Sequence, residues 1–189
     1  MLSLDEIKQM VYLKFKDGHL KRYTHTIGVS EMACLLAEKY NVDVNKACIA
    51  SLMHDYCKYD NPKDLEKYFT QEEILECRKY PFLYHAYGSS YKYKELVGDD
   101  EEIFSAIYNH VFGKENMTML EKIIMISDYT EINREYKDCI ICRDILLNKS
   151  LDEAILYSLE HMIEFIKKEG LEPHPRQIKV YEEYKRKVG

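Results

Sequence analysis

His54 and Asp55 stand side by side at the end of an apolar run, Ile49 to Met53 broken only by Ser51, and Lys58 follows shortly after. Adjacent residues of a helix point about 100° apart, so an imidazole and the next carboxylate cannot both pack on one face. A buried carboxylate is costly unless it is paired or coordinated. Near a helix end, however, both groups can reach a single cation. Two further residues are placed as awkwardly: His25 opens an amphipathic segment, and Asp128 closes the apolar run Ile123 to Ser127. His25, His54, Asp55 and Asp128 together offer two nitrogens and at least two carboxylate oxygens, without thiolate. That set suits Fe, Mn, Zn or Co better than Ca or a structural zinc site, and it leaves coordination positions for water and substrate. The same residues admit a plainer account as two buried ion pairs, Asp55 with Lys58 and Asp128 with Arg134.

Of the seven histidines, His85, His110 and His174 also have neighbours suggestive of a site, while His19 and His161 sit in polar surroundings and read as ordinary boundary residues. His174, between two prolines, reads as a turn residue, with the wall of a base pocket as the alternative. Cys139 and Cys142 form a lone CxxC inside a helical pattern, with no second pair in zinc-ribbon spacing, and read as core thiols. The tyrosine-rich segment YPFLYHAYGSSYKY has no clear period. Its rings suit packing or an oligomer contact, with stacking on a nucleobase as the alternative.

The totals narrow the setting. A chain of 189 residues is expected to form one domain with a sizeable core. A net charge of −6 argues against general attraction to nucleic acid or an anionic membrane, so an anionic substrate needs a local positive patch that a metal can supply. MLSLDEIKQM lacks the apolar stretch of a signal peptide, and nothing approaches the roughly 18 to 20 apolar residues of a membrane span. The expectation is a cytoplasmic protein whose six cysteines are reduced.

Nearly every segment carries a helical period and almost none alternates, so the expected fold class is all-α, a single helical domain over 1–189. Helices are expected over Leu4–Phe15, Tyr23–Tyr40, Val44 to about Tyr56 behind an Asp43 N-cap, Gln71–Tyr80, Glu101–Phe112 and Met119 to about Tyr129. Ile27, Val29, Met32, Leu35 and Leu36 would give the second its apolar face. Pro62 starts a short helix and Pro81 breaks one, while Gly113 marks a stop. Ser150 and Glu153 suggest a capping box for a helix through Lys168, ended by Gly170, and a polar helix follows Pro175.

The stretches RYTHTIGVSEMA, KACIASLMHDYCK, YHAYGS, AIYNHVFGKENMTMLEKIIMISDYTEINR and GLEPHP resemble, in order, the HD-domain metal-dependent phosphohydrolases. More narrowly they resemble the YqeK-type HD proteins, which hydrolyse dinucleoside tetraphosphates symmetrically. HD alone is a two-letter motif, but HDxxK followed by NMxxLEKIxxxxDYxExNR is specific, and the likeness runs from about Arg22 to Pro175. It implies an HD helical bundle with its motif-bearing core over about 22–135 and C-terminal helices over 136–189. It implies that His25, His54, Asp55 and Asp128 bind iron, with Asp55 bridging if two ions are present. His85 and His110 would face the substrate, as second-metal ligands or phosphate contacts, and Asp128 would face it too. Arg22 and Arg134 would contact the polyphosphate; without the resemblance both read as solvated surface charges. Where the family commonly has threonine after the second of these histidines, this chain has Val111, leaving only a backbone N–H for phosphate. Ser127-Asp128-Tyr129-Thr130-Glu131-Ile132 likewise departs from the usual alanine–aspartate–tyrosine followed by isoleucine–glutamate–proline.

The implied activity is attack by a metal-bound hydroxide on an inner phosphorus, giving two ADP from diadenosine tetraphosphate. His85, His110 and Lys58 would stabilise charge or move the proton; Lys58 pairing with Asp55 is an equal alternative. Rival readings are an HD-type nucleotide 5′-phosphatase, a cyclic-dinucleotide phosphodiesterase, and a non-catalytic nucleotide-binding module. The expected partner is a small nucleotide, with a homodimer suggested by the family.

Overall fold

The computed structural model describes residues 2–189, and among them eleven α-helices and one short 3-10 turn account for the regular structure. The helices are α1 (Leu4–Phe15), α2 (Leu20–Lys39), α3 (Val44–Met53), α4 (Pro62–Leu65), α5 (Gln71–Lys79), α6 (Leu83–Leu96), α7 (Glu101–Asn109), α8 (Met119–Thr130), α9 (Lys137–Asn148), α10 (Leu151–Lys168) and α11 (Pro175–Val188). The all-α expectation holds.

Local chemistry starts most of them. Ser3, Thr70 and Thr118 each close a reciprocal capping box with a glutamate at the third helical position. Asp43 caps α3 through the Lys46 amide at 3.1 Å. Ser150 caps α10 through the Glu153 amide, but the box expected there is incomplete: the Ser150 hydroxyl, not its amide, bonds the Glu153 carboxylate. Gly113 and Gly170 take φ of +67° and +74° past the ends of α7 and α10.

Apolar stripes of α1, α2, α3, α7, α8, α10 and α11 share the principal core, with Val11, Leu36, Leu52, Ile107, Ile124, Leu159 and Val180 buried in it. Complete burial of each such side chain favours the fold by about 1.5–3 kcal/mol. A second, smaller cluster gathers Cys57, Leu65, Phe69, Leu83, Tyr87 and Phe112 beneath α4 to α6.

Several expectations need correction. The tyrosine-rich segment is not aperiodic: it forms α6, which buries Tyr87, Gly88, Ser89, Ser90 and Tyr93. Tyr87 stacks on Tyr108 at 3.9 Å, so these rings serve packing. Leu35, assigned to the apolar face of α2, is 51% exposed, whereas Ala33, Leu36 and Ala37 are the residues that α2 buries there. The terminal helix is less polar in its role than in its composition, since Gln177, Val180 and Tyr184 are buried. Nor are all cysteines reduced: α2 packs along α3, and that brings Cys34 and Cys48 into a disulfide. Cys57, Cys77, Cys139 and Cys142 are free and buried, as core thiols would be.

Candidate functional site

The helix carrying His25 begins at Leu20, earlier than its apolar period suggests, and this matters for the site. Arg22 and His25 become neighbours one turn apart on α2 and turn toward the same carboxylate. Arg22 Nη1 donates to Asp55 Oδ2 at 2.6 Å, and His25 Nε2 lies 3.8 Å from that oxygen.

Helix α3 stops at Met53, so His54 and Asp55 leave it in a tight turn rather than continuing to Tyr56. This resolves the conflict of side-chain directions. His54 is fully buried, and its Nδ1 lies 2.6 Å from the Ser51 carbonyl, the acceptor that places the proton on Nδ1 and aims Nε2 inward. Asp55 is 2% exposed and spreads its two oxygens between two groups of side chains.

His25, His54 and Asp128 make the first group, and Asp55, His85 and His110 the second; the candidate ligand atoms within each lie within 4.8 Å of one another. His25 Nε2 stands 3.0 Å from Asp128 Oδ1, and His54 Nε2 3.8 Å from the same atom. Asp55 Oδ2 turns to the first group, 3.4 Å from His54 Nε2. Asp55 Oδ1 turns to the second, 3.1 Å from His85 Nε2 and 3.9 Å from His110 Nε2. His85 and His110 meet Nε2 to Nε2 at 3.2 Å, and His110 Nδ1 donates to the Ile107 carbonyl at 2.7 Å.

The proposed residues therefore converge from α2, the turn after α3, α6, the end of α7 and α8. Lys58 Nζ sits 3.4 Å from Asp55 Oδ1 and 3.1 Å from His85 Nε2. Arg134 Nη2 donates to Asp128 Oδ1 at 2.8 Å. Both plain ion pairs thus form, but within a cluster of histidines that neither pair explains. Val111 lines the adjoining cavity. His174 does not: it caps α11 through the Arg176 amide, stacks on Phe112 and meets Glu76 at 3.0 Å, which makes it a buried turn residue.

The electrostatics call for positive charge. Burial works against ionised Asp55, yet His54 and His85 hold its carboxyl well below the usual range. Burial likewise opposes ionised Asp128, and Arg134 with His25 and His54 holds it down. Burial would discharge His54 too, but Asp55 and Asp128 raise its pKa above the ordinary value. His110, buried and flanked by the other imidazoles, is pushed down to about 3 and is neutral. His25 Nε2, His54 Nε2 and Asp55 Oδ1 are buried without hydrogen-bond partners. Inward-facing nitrogens and a carboxylate oxygen left unsatisfied together fit a transition-metal ion, and two groups sharing one carboxylate fit two.

Two contributors were missed by the sequence reading. Glu131, 1% exposed, sets Oε1 3.2 Å from His25 Nδ1, behind the ring. A carboxylate there fixes the tautomer and strengthens Nε2 as a donor to metal. Gly28 makes room for it, since a Cβ at that position would lie 2.7 Å from Asn133 Nδ2 and closer still to Glu131. Beside the DYxExNR stretch that contains Glu131, a glycine one turn after a candidate ligand is a further hint in the sequence. The second is His161, which, with other α10 residues, lines a cavity of about 610 Å³ shared with Lys58, His85, His110, Asp128 and Arg134.

The sequence profile described as HD domain matches residues 22–133. A symmetrical bis(5′-nucleosyl)-tetraphosphatase of Halalkalibacterium halodurans is 36% identical over 165 residues, 85% of this chain and 87% of that one. The protein of the same name from Bacillus subtilis is 33% identical over the same shares of each chain. A crystal structure from Clostridium acetobutylicum, described as a predicted HD superfamily hydrolase involved in NAD metabolism, superposes with a TM-score of 0.86 at 31% identity, covering 99% of each chain.

Proposed function

The chain belongs to the HD domain family, and from that premise we propose that it is a metal-dependent hydrolase cleaving dinucleoside tetraphosphates symmetrically, diadenosine tetraphosphate giving two ADP. One observation carries the reading: the two oxygens of Asp55 face two different groups of His and Asp side chains, whose inward nitrogens include two that are buried and unpartnered. We assign His25, His54, Asp55 and Asp128 to one ion, and Asp55, His85 and His110 to a second. The donor set suits Fe, Mn, Zn or Co, and iron is the ion the family resemblance favours. Such an ion, when bound, supplies Lewis acidity and a water acidic enough to ionise near neutral pH.

The remaining groups do the positioning. Arg22 and Arg134 are guanidinium forks at the Asp55 and Asp128 ends of the site, suited to bidentate contact with phosphate oxygens. Lys58 places its ammonium beside His85 and stabilises charge on the departing diphosphate. His110 keeps its only proton on Nδ1, held by the Ile107 carbonyl, and so serves as a ligand rather than as an acid. Val111 offers its backbone N–H. Water adds at one middle phosphorus, the bridging oxygen leaves with the other, and two nucleoside diphosphates result. We place the whole chain, 1–189, in one domain acting in the cytoplasm on a small nucleotide, as a homodimer; among the described residues no helix is long and apolar enough to cross a membrane.

The test is metal analysis of anaerobically purified protein, joined to a chromatographic substrate panel. Two ADP from each diadenosine tetraphosphate, lost in Asp55→Asn, are expected. Inorganic phosphate from mononucleotides, with no ADP from diadenosine tetraphosphate, would sink the reading. So would full function in Asp55→Asn.

A further inference from the structure

We propose that the α10 wall of the cavity, with Tyr136 opposite the charged residues in function, reads one nucleobase of the substrate and leaves the second nucleoside unread. This rests on the hydrolase reading above, which uses only the charged part of the cavity. The rest of its lining includes Tyr129, Tyr136, His161, Met162, Phe165 and Ile166. Phe165 is 64% exposed and Tyr136 73% exposed, although both border a cavity that could have covered them. Flat aromatic rings left open at a cavity are stacking surfaces, and a nucleobase has the matching face.

His161 adds an orienting group. It stacks on Tyr157 at 3.9 Å, and Nδ1 donates to the Tyr157 carbonyl at 3.0 Å, which leaves Nε2 as an acceptor suited to an exocyclic amine. The same cavity reaches Asp128, His85 and His110, so a base stacked here is tethered directly to the phosphates at the metal groups. The volume, about 610 Å³, is of the size that encloses a single drug-sized ligand, about 300–1,000 Å³. A dinucleoside tetraphosphate carries two nucleosides on four phosphates. On this proposal the space holds the middle of the polyphosphate and one nucleoside, and the second nucleoside lies beyond the α10 wall.

Three substrates separate the cases: diadenosine tetraphosphate, adenosine tetraphosphate methylated on its terminal phosphate, and dimethyl tetraphosphate. The first two are expected to have similar kcat/KM, and the third to fall by about tenfold or more, the scale of one base stacked on an aromatic ring. Phe165→Ala, at an exposed position that does not endanger folding, should raise KM for diadenosine tetraphosphate and shrink the gap to the dimethyl compound. Tyr136→Ala is the second variant. Two equal losses as the nucleosides are removed in turn would show that both are read, and would overturn the proposal. A full-sized gap in both variants would place recognition elsewhere and overturn it too. Failure of the wild-type protein to cleave any of the three would instead strike down the hydrolase reading.

Discussion

Glu131 stands behind His25, Oε1 to Nδ1 at 3.2 Å, and this one contact ties the loop after α8 to the first metal group. The carboxylate also accepts from the Asn133 amide at 2.7 Å and side chain at 2.9 Å, so it is fixed before it orients the ring. Glu131→Gln should therefore weaken metal affinity by about 10- to 100-fold while the helical fold persists. Gly28→Ala pushes on the same carboxylate from α2 and should reproduce part of that loss, at a stability cost of about 1–3 kcal/mol from overpacking. The double variant should lose less affinity than the two single losses combined. Chelator-competition titrations measure all three; unchanged affinity in Glu131→Gln would remove Glu131 from the site.

Metal removal should be visible in stability as well as in activity. The buried His25 and His54 Nε2 atoms and Asp55 Oδ1 lack hydrogen bonds of good geometry, and a bound ion would engage all three. At a free metal concentration 100 times Kd, linkage gives about 2.7 kcal/mol, worth roughly 5–10 °C in Tm for a chain of this size. Calorimetry with and without a chelator should show that difference, and should not show it in Asp55→Asn. Identical melting of the two wild-type samples would argue against a resident ion.

How much of this was legible beforehand depends on what each residue answers to. His54 and Asp55 stood out because adjacent polar groups at the end of an apolar run conflict with their own helix. The α6 helix did not, because it is buried on more than one side by small and polar residues. Its Gly88 lies so close to Leu65 that a Cβ would be 2.7 Å from Leu65 Cδ1, a contact no local period reveals. Glu131 stands in the sequence as part of DYxExNR, but its place behind His25 does not, since that partner lies on α2. The Cys34–Cys48 pairing follows from how two helices pack, and a cysteine count cannot supply it. The all-α class and the His25, His54, Asp55 and Asp128 set were readable, while the groups that orient them from behind were not.

His174 provides a pH test away from the metal groups. Burial lowers its pKa, with Arg176 and Lys79 acting in the same direction and Glu76 opposing. The unfolded chain therefore binds a proton near pH 6.5 that the folded chain refuses until lower pH. Stability is complete above about pH 6.5 and declines on acidification toward the folded pKa, by at most about 1.4 kcal/mol per pH unit from this group. His174→Asn keeps an N-cap on α11 but cannot titrate, so its denaturation midpoint should fall less steeply between pH 6.5 and 5. Parallel slopes for variant and wild type would mean that His174 is not protonated differently in the two states.

Arg143 bears on catalysis without touching the site. Its guanidinium, on α9, donates to three backbone carbonyls: Thr130 at 2.6 Å, Glu131 at 2.5 Å and Arg134 at 2.9 Å. Those bonds hold the bend that presents Glu131 to His25 and Arg134 to Asp128. Lysine keeps the charge but not the planar fork, so it cannot serve all three acceptors in one geometry. Arg143→Lys should cost about 1–3 kcal/mol of stability, the scale of hydrogen bonds to a charged group. It should also raise KM for the tetraphosphate by loosening Arg134, with metal affinity falling in step through Glu131. Arg143→Met should be worse in both respects. If both variants only lower the melting temperature, and leave KM and metal affinity as they were, Arg143 is a stabiliser of the helical frame and the link to the site is void.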